Sequence, residues 1–325
     1  MSSGTAPTSE EGVAQVDSLS HEGLGVARVD GKAVFIHGAL PGETVHFRYQ
    51  SRKRRYDFAS ATDILTPSSD RVAPPCPHFG LCGGCALQHL MPAAQLRAKE
   101  RILLETLAHI GKVQPERVLP ALAGATGGYR RRARIGIRLV PKKGGVLVGF
   151  RERNSSYITP LQECVVLDAR VSALLPAIQQ LVTALSCPDR IPQVEIATTD
   201  AHVVLVFRHL SPLTDEDVLR LRGFAQAHAV HVYLQAKGPD SIVPVGLEAT
   251  LHYDLPENVR IAFQPTDFVQ VNGVMNRALV AAALELLAVG PADRVVDFFC
   301  GIGNFSLPLA RRAAAVVGVE GSTEL

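Results

Sequence analysis

Arg294-Val-Val-Asp-Phe-Phe-Cys-Gly-Ile-Gly-Asn304 is the stretch that decides the fold class of this 325-residue chain. Residues 294–299 form an apolar run of strand length, and 300–304 a glycine-rich turn. Residues 305–312 then open as a helix, with Asn304 placed to cap it and Pro308 tolerated in its first turn. A second apolar strand over 316–319 ends in Glu320. Strand, glycine turn, helix, strand and terminal acid make the first half of a Rossmann-type nucleotide site. Gly301 and Gly303 let a ligand approach the backbone, and Glu320 can accept both ribose hydroxyl hydrogens. A dinucleotide site needs a third glycine or alanine to pass its pyrophosphate, and Ser306 stands there instead. Asp297 adds negative charge at the strand end, which disfavours a diphosphate and suits a cationic sulfonium. The residues therefore favour S-adenosylmethionine over NAD. Cys300 reads as a packed small residue.

Just upstream, Phe263-Gln-Pro-Thr-Asp-Phe-Val-Gln-Val-Asn272 leads into a helix expected over 273–289. Its apolar stripe is Val274, Ala278, Ala282 and Leu286, at helical spacing. Gln270, Asn272 and Asn276 cluster at its start, where amides bond a ligand or cap the helix.

Further towards the N-terminus, Cys76-x5-Cys82-x2-Cys85 puts three thiolates on a loop loosened by Gly80, Gly83 and Gly84. The chain opens without the basic start and apolar run of a signal peptide, and no window approaches ~18 uninterrupted apolar residues. A cytosolic setting disfavours disulfides, so the cluster points to metal or redox chemistry. A fourth ligand must come from outside the loop, with Cys164 and Cys187 as candidates. Spacing alone leaves an iron–sulfur cluster level with a zinc site completed by His78 or His89.

Residues 12–66 read as short strands, 13–19, 33–36, 43–49 and 58–65, with turns at Gly23/Gly25, Asp30-Gly31 and Pro41-Gly42. That pattern suggests a small oligonucleotide-binding barrel. Arg48, Arg52, Lys53, Arg54 and Arg55 surround one hairpin, with Tyr49 and Tyr56 interleaved. Basic side chains grip phosphates and aromatic faces stack bases. The net charge is only +2, but this local bunching fits nucleic acid better than a membrane surface. Residues 91–110 read as a helix. Arg130, Arg131 and Arg132 form a second candidate phosphate stripe at the start of an α+β middle region. Its expected strands are 133–140, 145–150, 193–197, 202–207 and 231–235, with helices over 171–185 and 215–228.

Together, the Cys76/Cys82/Cys85 loop, Phe268-Val-Gln-Val-Asn272, and the Asp297–Asn304 turn running to Gly318-Val-Glu-Gly321 resemble the RNA m5U methyltransferase family. The resemblance is to its bacterial 23S rRNA uracil-5-methyltransferases of the RlmD (RumA) type, over about residues 12–325. It implies a multidomain α/β and β fold. After a disordered tail (1–11) would come an OB-like TRAM β-barrel (12–66) that binds RNA. An α+β central domain with the iron–sulfur loop would span 67–92 and 126–260. A helical segment over 93–125 would pack on the methyltransferase domain, of which 261–325 would be the N-terminal, Rossmann-like part. The resemblance further implies a [4Fe-4S] cluster on Cys76, Cys82, Cys85 and Cys164, and adenosylmethionine contacts at Gln270, Phe299, Asn304 and Glu320. The partner would be 23S rRNA, and the protein a cytoplasmic monomer with no membrane or protein partner.

In the family a cysteine attacks C6 of a flipped-out uracil, and a carboxylate later removes the C5 proton. Both residues are expected beyond Leu325, so no catalytic residue is expected within the chain, and methyl transfer by the chain alone is not expected. The alternative is a catalytically inactive RNA-binding iron–sulfur protein. An NAD-linked oxidoreductase is disfavoured by the glycine turn. Two parallel strands cannot bury both faces of a sheet, so apolar surface is expected to stay open in the last segment.

Overall fold

The computed structural model describes residues 10–322, which fall into two compact units, up to Ala121 and from Leu122. Residues 1–9 of the expected tail lie outside the described residues, and Glu11 already belongs to a strand.

In the first unit, β1 (Glu11–Leu19), β2 (Gly25–Val29), β3 (Lys32–His37), β4 (Thr44–Arg52) and β5 (Tyr56–Thr66) close into a barrel in the order β1-β2-β3-β5-β4. Alternate residues point inward: Val34 and Ile36 of β3 meet Val45, Phe47 and Tyr49 of β4 in the core. β2 lies where the sequence showed only a turn. It is short, and a Cβ at Gly25 would meet the Ala39 carbonyl oxygen at 2.9 Å, so close approach replaces an apolar signal. The β2–β3 hairpin uses left-handed backbone at Asp30 (φ 49°) and Gly31 (φ 79°), as a tight two-residue turn requires.

Residues 67–92 fold onto this barrel. The cause is Glu43, whose side chain is fully buried. Its carboxylate accepts from Arg71 Nε at 2.5 Å and Nη2 at 2.7 Å, and from the N–H groups of Leu40 and Ser68 at 2.8 and 3.1 Å. A buried carboxylate needs a cation, and the connector supplies it. Helix α1 (Pro92–Thr106) follows, packing Ala94, Ala98 and Ile102 against Leu19, Leu40 and Leu90. Its buried face therefore lies within the barrel unit. The helix continues through a π-helical turn (Leu107–Gly111) and is stopped by left-handed Lys112.

The second unit contains a six-stranded sheet, order β11-β10-β9-β8-β6-β7. Its strands are β6 (Arg132–Val140), β7 (Gly145–Gly149), β8 (Gln193–Thr198), β9 (Val203–Arg208), β10 (His231–Gln235) and β11 (Ile242–Pro244). Helices α2 (Ala169–Thr183) and α3 (Asp215–Ala227) lie between them in sequence. The Asp168 carboxylate caps α2, and a Thr214/Asp217 capping box starts α3. A hairpin of β12 (Leu251–Leu255) and β13 (Val259–Phe263) precedes α4 (Gly273–Leu287). Then come β14 (Arg294–Phe298), α5 (Ser306–Ala310) and β15 (Ala315–Val319), with β14 and β15 parallel.

The expected apolar stripe of α4 is not its buried face. Val274 and Leu286 are exposed, and Asn276, Val280 and Leu284 are buried. Hydrophobicity misplaced the stripe because a polar residue with a dedicated partner occupies the inner row. One face of the β14–β15 pair, Val295 and Val316, packs on a core containing Ile261, Val280, Leu284 and Leu309. The other face leaves Val296, Phe298, Val317 and Val319 exposed, as expected of two parallel strands.

Burial alone would raise the Glu43 carboxyl. The bonds from Arg71, Ser68 and Leu40 outweigh it and hold the group below its ordinary value of 4.5. A depressed carboxyl stabilises the fold fully above its unfolded value, and the contribution is lost as pH falls through the folded value. Glu43→Gln is expected to cost about 3 kcal/mol at neutral pH. The gap between parent and variant should narrow as denaturation curves are taken below about pH 4. An unchanged melting temperature at pH 7 would contradict this.

Candidate cofactor site

The site is built where β14 runs out. After Phe298 the backbone turns through left-handed Phe299 (φ 62°), Gly301 (φ 54°) and Gly303 (φ 90°). Left-handed geometry costs a non-glycine residue about 1 kcal/mol or more, and such strain collects at functional turns. Both the Phe299 and Cys300 N–H groups donate to the Val319 carbonyl, at 2.7 and 3.2 Å, which holds the turn against β15. Phe299 itself is 90% exposed.

Glu320 closes the turn from the other strand. One carboxylate oxygen accepts from Gly301 N–H at 2.9 Å, and the other from Gly321 at 2.7 Å and Ser322 at 3.0 Å. The N–H groups of Ser322, Gly301 and Gly321 hold this carboxyl below its ordinary value, so it stays a charged acceptor. Asp297 accepts from Ser306 Oγ at 2.6 Å, so the residue standing in the third glycine's place ties the start of α5 to β14. Cys300 is half-buried, and its Sγ would sit 2.8 Å from any Cβ placed at Gly318, consistent with the packed small residue expected.

Asn304 does not cap α5; Phe305 takes that position without a side-chain bond. The Asn304 amide faces Asn276 instead, each donating to the other at 2.8 and 2.9 Å, and Tyr253 Oη donates to Asn304 Oδ1 at 3.1 Å. Burial pushes the Tyr253 phenol up to about 12, so it remains a protonated donor. This knot joins β12, α4 and the glycine turn. Tyr253 was missed from sequence, because nothing about one tyrosine in a short strand marks it as a partner of an amide 51 residues away.

Gln270 is exposed at the end of the 264–272 segment. Arg131 N–H donates to the Val271 carbonyl at 2.8 Å, Arg130 bridges Asn272, and Arg132 Nη1 donates to the Pro265 carbonyl. Arg131 also pairs with Asp200, and burial lowers the Arg132 guanidinium. Arg131 through its backbone and Arg132 through its side chain thereby position the segment that carries Gln270.

In the barrel, Tyr49 is buried in the core with the Arg52 guanidinium 4.2 Å above its ring, so it offers no stacking face. Arg52 pairs with Glu10 at 2.8 Å, and Arg48 with Glu11 at 2.7 Å. Lys53, Arg54 and Arg55 are exposed and make no ion pair among the described residues.

Cys76, Cys82 and Cys85 lie half-buried on the first unit's loop, where Gly84 N–H donates to Cys82 Sγ at 3.4 Å. Cys164 is buried in the second unit, its N–H bonded to Ser172 Oγ at 2.8 Å. Among the described residues no three His, Cys, Asp or Glu side chains are grouped to hold a metal ion.

Two family models match the chain: residues 13–61 match the TRAM domain, and residues 93–324 the family described as tRNA (uracil-5-)-methyltransferase. The chain belongs to this uracil-5-methyltransferase family. A Bordetella parapertussis relative, 23S rRNA (uracil(1939)-C(5))-methyltransferase RlmD, is 54% identical over 316 residues, which are 96% of this chain and 68% of that one. An Azoarcus relative of the same name is 55% identical over 96% of this chain and 73% of its own. Among solved structures, a Pyrococcus abyssi tRNA (uracil-54, C5)-methyltransferase in complex with S-adenosyl-L-homocysteine superposes with a TM-score of 0.67. At 20% identity, over 96% of this chain and 74% of that one, it supports the fold alone. No helix among the described residues is long and apolar enough to cross a membrane.

Asn276→Asp replaces a donor by an acceptor and sets two oxygens against each other in the knot. It is expected to cost about 1–3 kcal/mol in chemical denaturation of the second unit. Parental stability in the variant would show that the amide exchange does not hold the turn.

Proposed function

We propose that the protein uses S-adenosylmethionine to methylate C5 of a uridine in 23S rRNA. The observation that carries this reading is the glycine turn with its fixed Glu320 carboxylate and half-buried Asn304 amide, in a chain whose relatives bear that name. Adenosylmethionine, when bound, supplies a methyl group made electrophilic by its sulfonium. The chain's own residues fit it. Glu320 presents acceptor oxygens at the end of β15 for ribose hydroxyls, the interaction that favours an acid there. Asp297 and Glu320 add negative charge that suits a cation. Phe299 offers an exposed ring to an adenine, while Gln270 and Asn304 bring amides from either side of α4. The barrel, with Lys53, Arg54 and Arg55 exposed, takes the RNA phosphates.

We infer also that the Cys76/Cys82/Cys85 loop holds a [4Fe-4S] cluster with a fourth ligand from outside it. The support is the cysteine spacing and the left-handed Gly80 (φ 91°) that bends the loop. Methyl transfer moves no electron, so the cluster's role is structural.

Calorimetric titration with S-adenosylhomocysteine tests the cofactor reading. The parent should bind it in preference to NAD, and Glu320→Ala should weaken binding about tenfold or more. Equal affinity in that variant, or preference for NAD, would refute the site. For the cluster, anaerobically purified protein should carry iron and sulfide that Cys82→Ser removes. Iron retained at parental level in the variant would exclude Cys82 as a ligand.

A further inference from the structure

The outer face of the barrel carries an aromatic group that the basic hairpin alone did not reveal. On the parallel pair β3–β5, Phe35 lies opposite Phe58 and Ala33 opposite Tyr56. The three rings touch: Phe35–Tyr56 and Phe35–Phe58 centroids are 5.7 Å apart, and Tyr56–Phe58 5.5 Å. Tyr56 stands nearly perpendicular to both phenylalanines, at 85° and 83°, and is 40% exposed. Val34, Ile36 and Ala59, their neighbours in sequence, point into the core, so the trio belongs to the opposite face. An aromatic cluster that only filled the interior would not sit on the solvent side of two strands.

The β4–β5 turn beside it is held in one shape. The buried Asp57 carboxylate accepts from Lys53 N–H at 3.0 Å, and Lys53 N–H also reaches the Tyr56 carbonyl at 3.1 Å. Lys32 pairs with Asp57 at 2.7 Å, cancelling the acid that would offset the turn's charge. Lys53, Arg54 and Arg55 are thus presented as net positive charge on a fixed turn next to the rings. Rings plus unpaired cations match the two chemistries of a single-stranded nucleic acid, base faces and phosphates. A protein partner would be expected to supply carboxylates, and would leave the ring faces without a planar mate.

We propose that Phe35, Tyr56 and Phe58 form a stacking platform for an unpaired base of the RNA substrate, whose flanking phosphates lie on Lys53, Arg54 and Arg55. This rests on the RNA-binding reading of the barrel and adds to it that the barrel reads single strands. The platform selects unpaired nucleotides because a base within a duplex has no free face to offer.

The test is fluorescence anisotropy of the whole protein with a labelled uridine-rich single-stranded RNA and with the same RNA annealed into a duplex. Tyr56→Ala should weaken single-strand binding about tenfold and leave duplex binding and the salt slope unchanged. Tyr56→Phe should bind as the parent does. The Arg54→Gln/Arg55→Gln double variant should weaken both RNAs and flatten the salt dependence by roughly 1.5 units of slope. S-adenosylhomocysteine binding, read in the other unit, should not change in Tyr56→Ala. Parental single-strand affinity in a folded Tyr56→Ala protein overturns the platform and leaves the barrel's RNA contact standing. Absence of RNA binding by the parent overturns both.

Discussion

Two amides face each other across α4 and the glycine turn, Asn276 donating to Asn304 and Asn304 to Asn276. The position of the cofactor turn depends on that exchange. The turn is strained at Phe299, and its glycines resist no displacement of their own. Burial makes the knot strong in one direction only. Satisfied, it fixes the turn; with one donor lost, the remaining groups carry the full cost of desolvation. Tyr253, kept protonated by its surroundings, adds a donor from β12. Three elements distant in sequence therefore converge on Asn304 of the glycine turn.

The first unit is organised by the same kind of constraint. Glu43 is buried and charged, and its four bonds come from the barrel's own backbone, the connector's backbone and Arg71. That carboxylate draws the connector, and with it the cysteine loop and α1, onto the barrel. In each unit a buried polar group with dedicated partners settles which distant segments meet.

Such groups are what the sequence shows least well. The glycine turn, its flanking strands and Glu320 were legible because their chemistry is local: φ > 0 demands glycine and a buried parallel strand demands a β-branched run. The central strands and α2 and α3 were legible from periodicity for the same reason. Asn276 defeated the stripe assigned to α4, since an amide looks like a surface residue until its partner is known. Glu43 and Arg71, 28 positions apart, carried no signal that they pair. The bond of Arg132 to the Pro265 carbonyl could not be read from charge alone. β2 and the β11–β13 strands went unseen because three to five residues among glycines, prolines and asparagines resemble turns.

The division of labour follows from these constraints. A rigid polar knot and a pinned carboxylate hold the second unit's glycine turn, and a fixed basic hairpin marks the first unit's barrel. The most direct test is a crystal structure of the protein with S-adenosylhomocysteine bound. The ribose hydroxyls should bond Glu320 while it keeps the Gly301 N–H, the adenine should cover Phe299, and the Asn276–Asn304 exchange should be unchanged. A nucleoside lodged elsewhere, or a Glu320 carboxylate swung out of the turn, would contradict the site described.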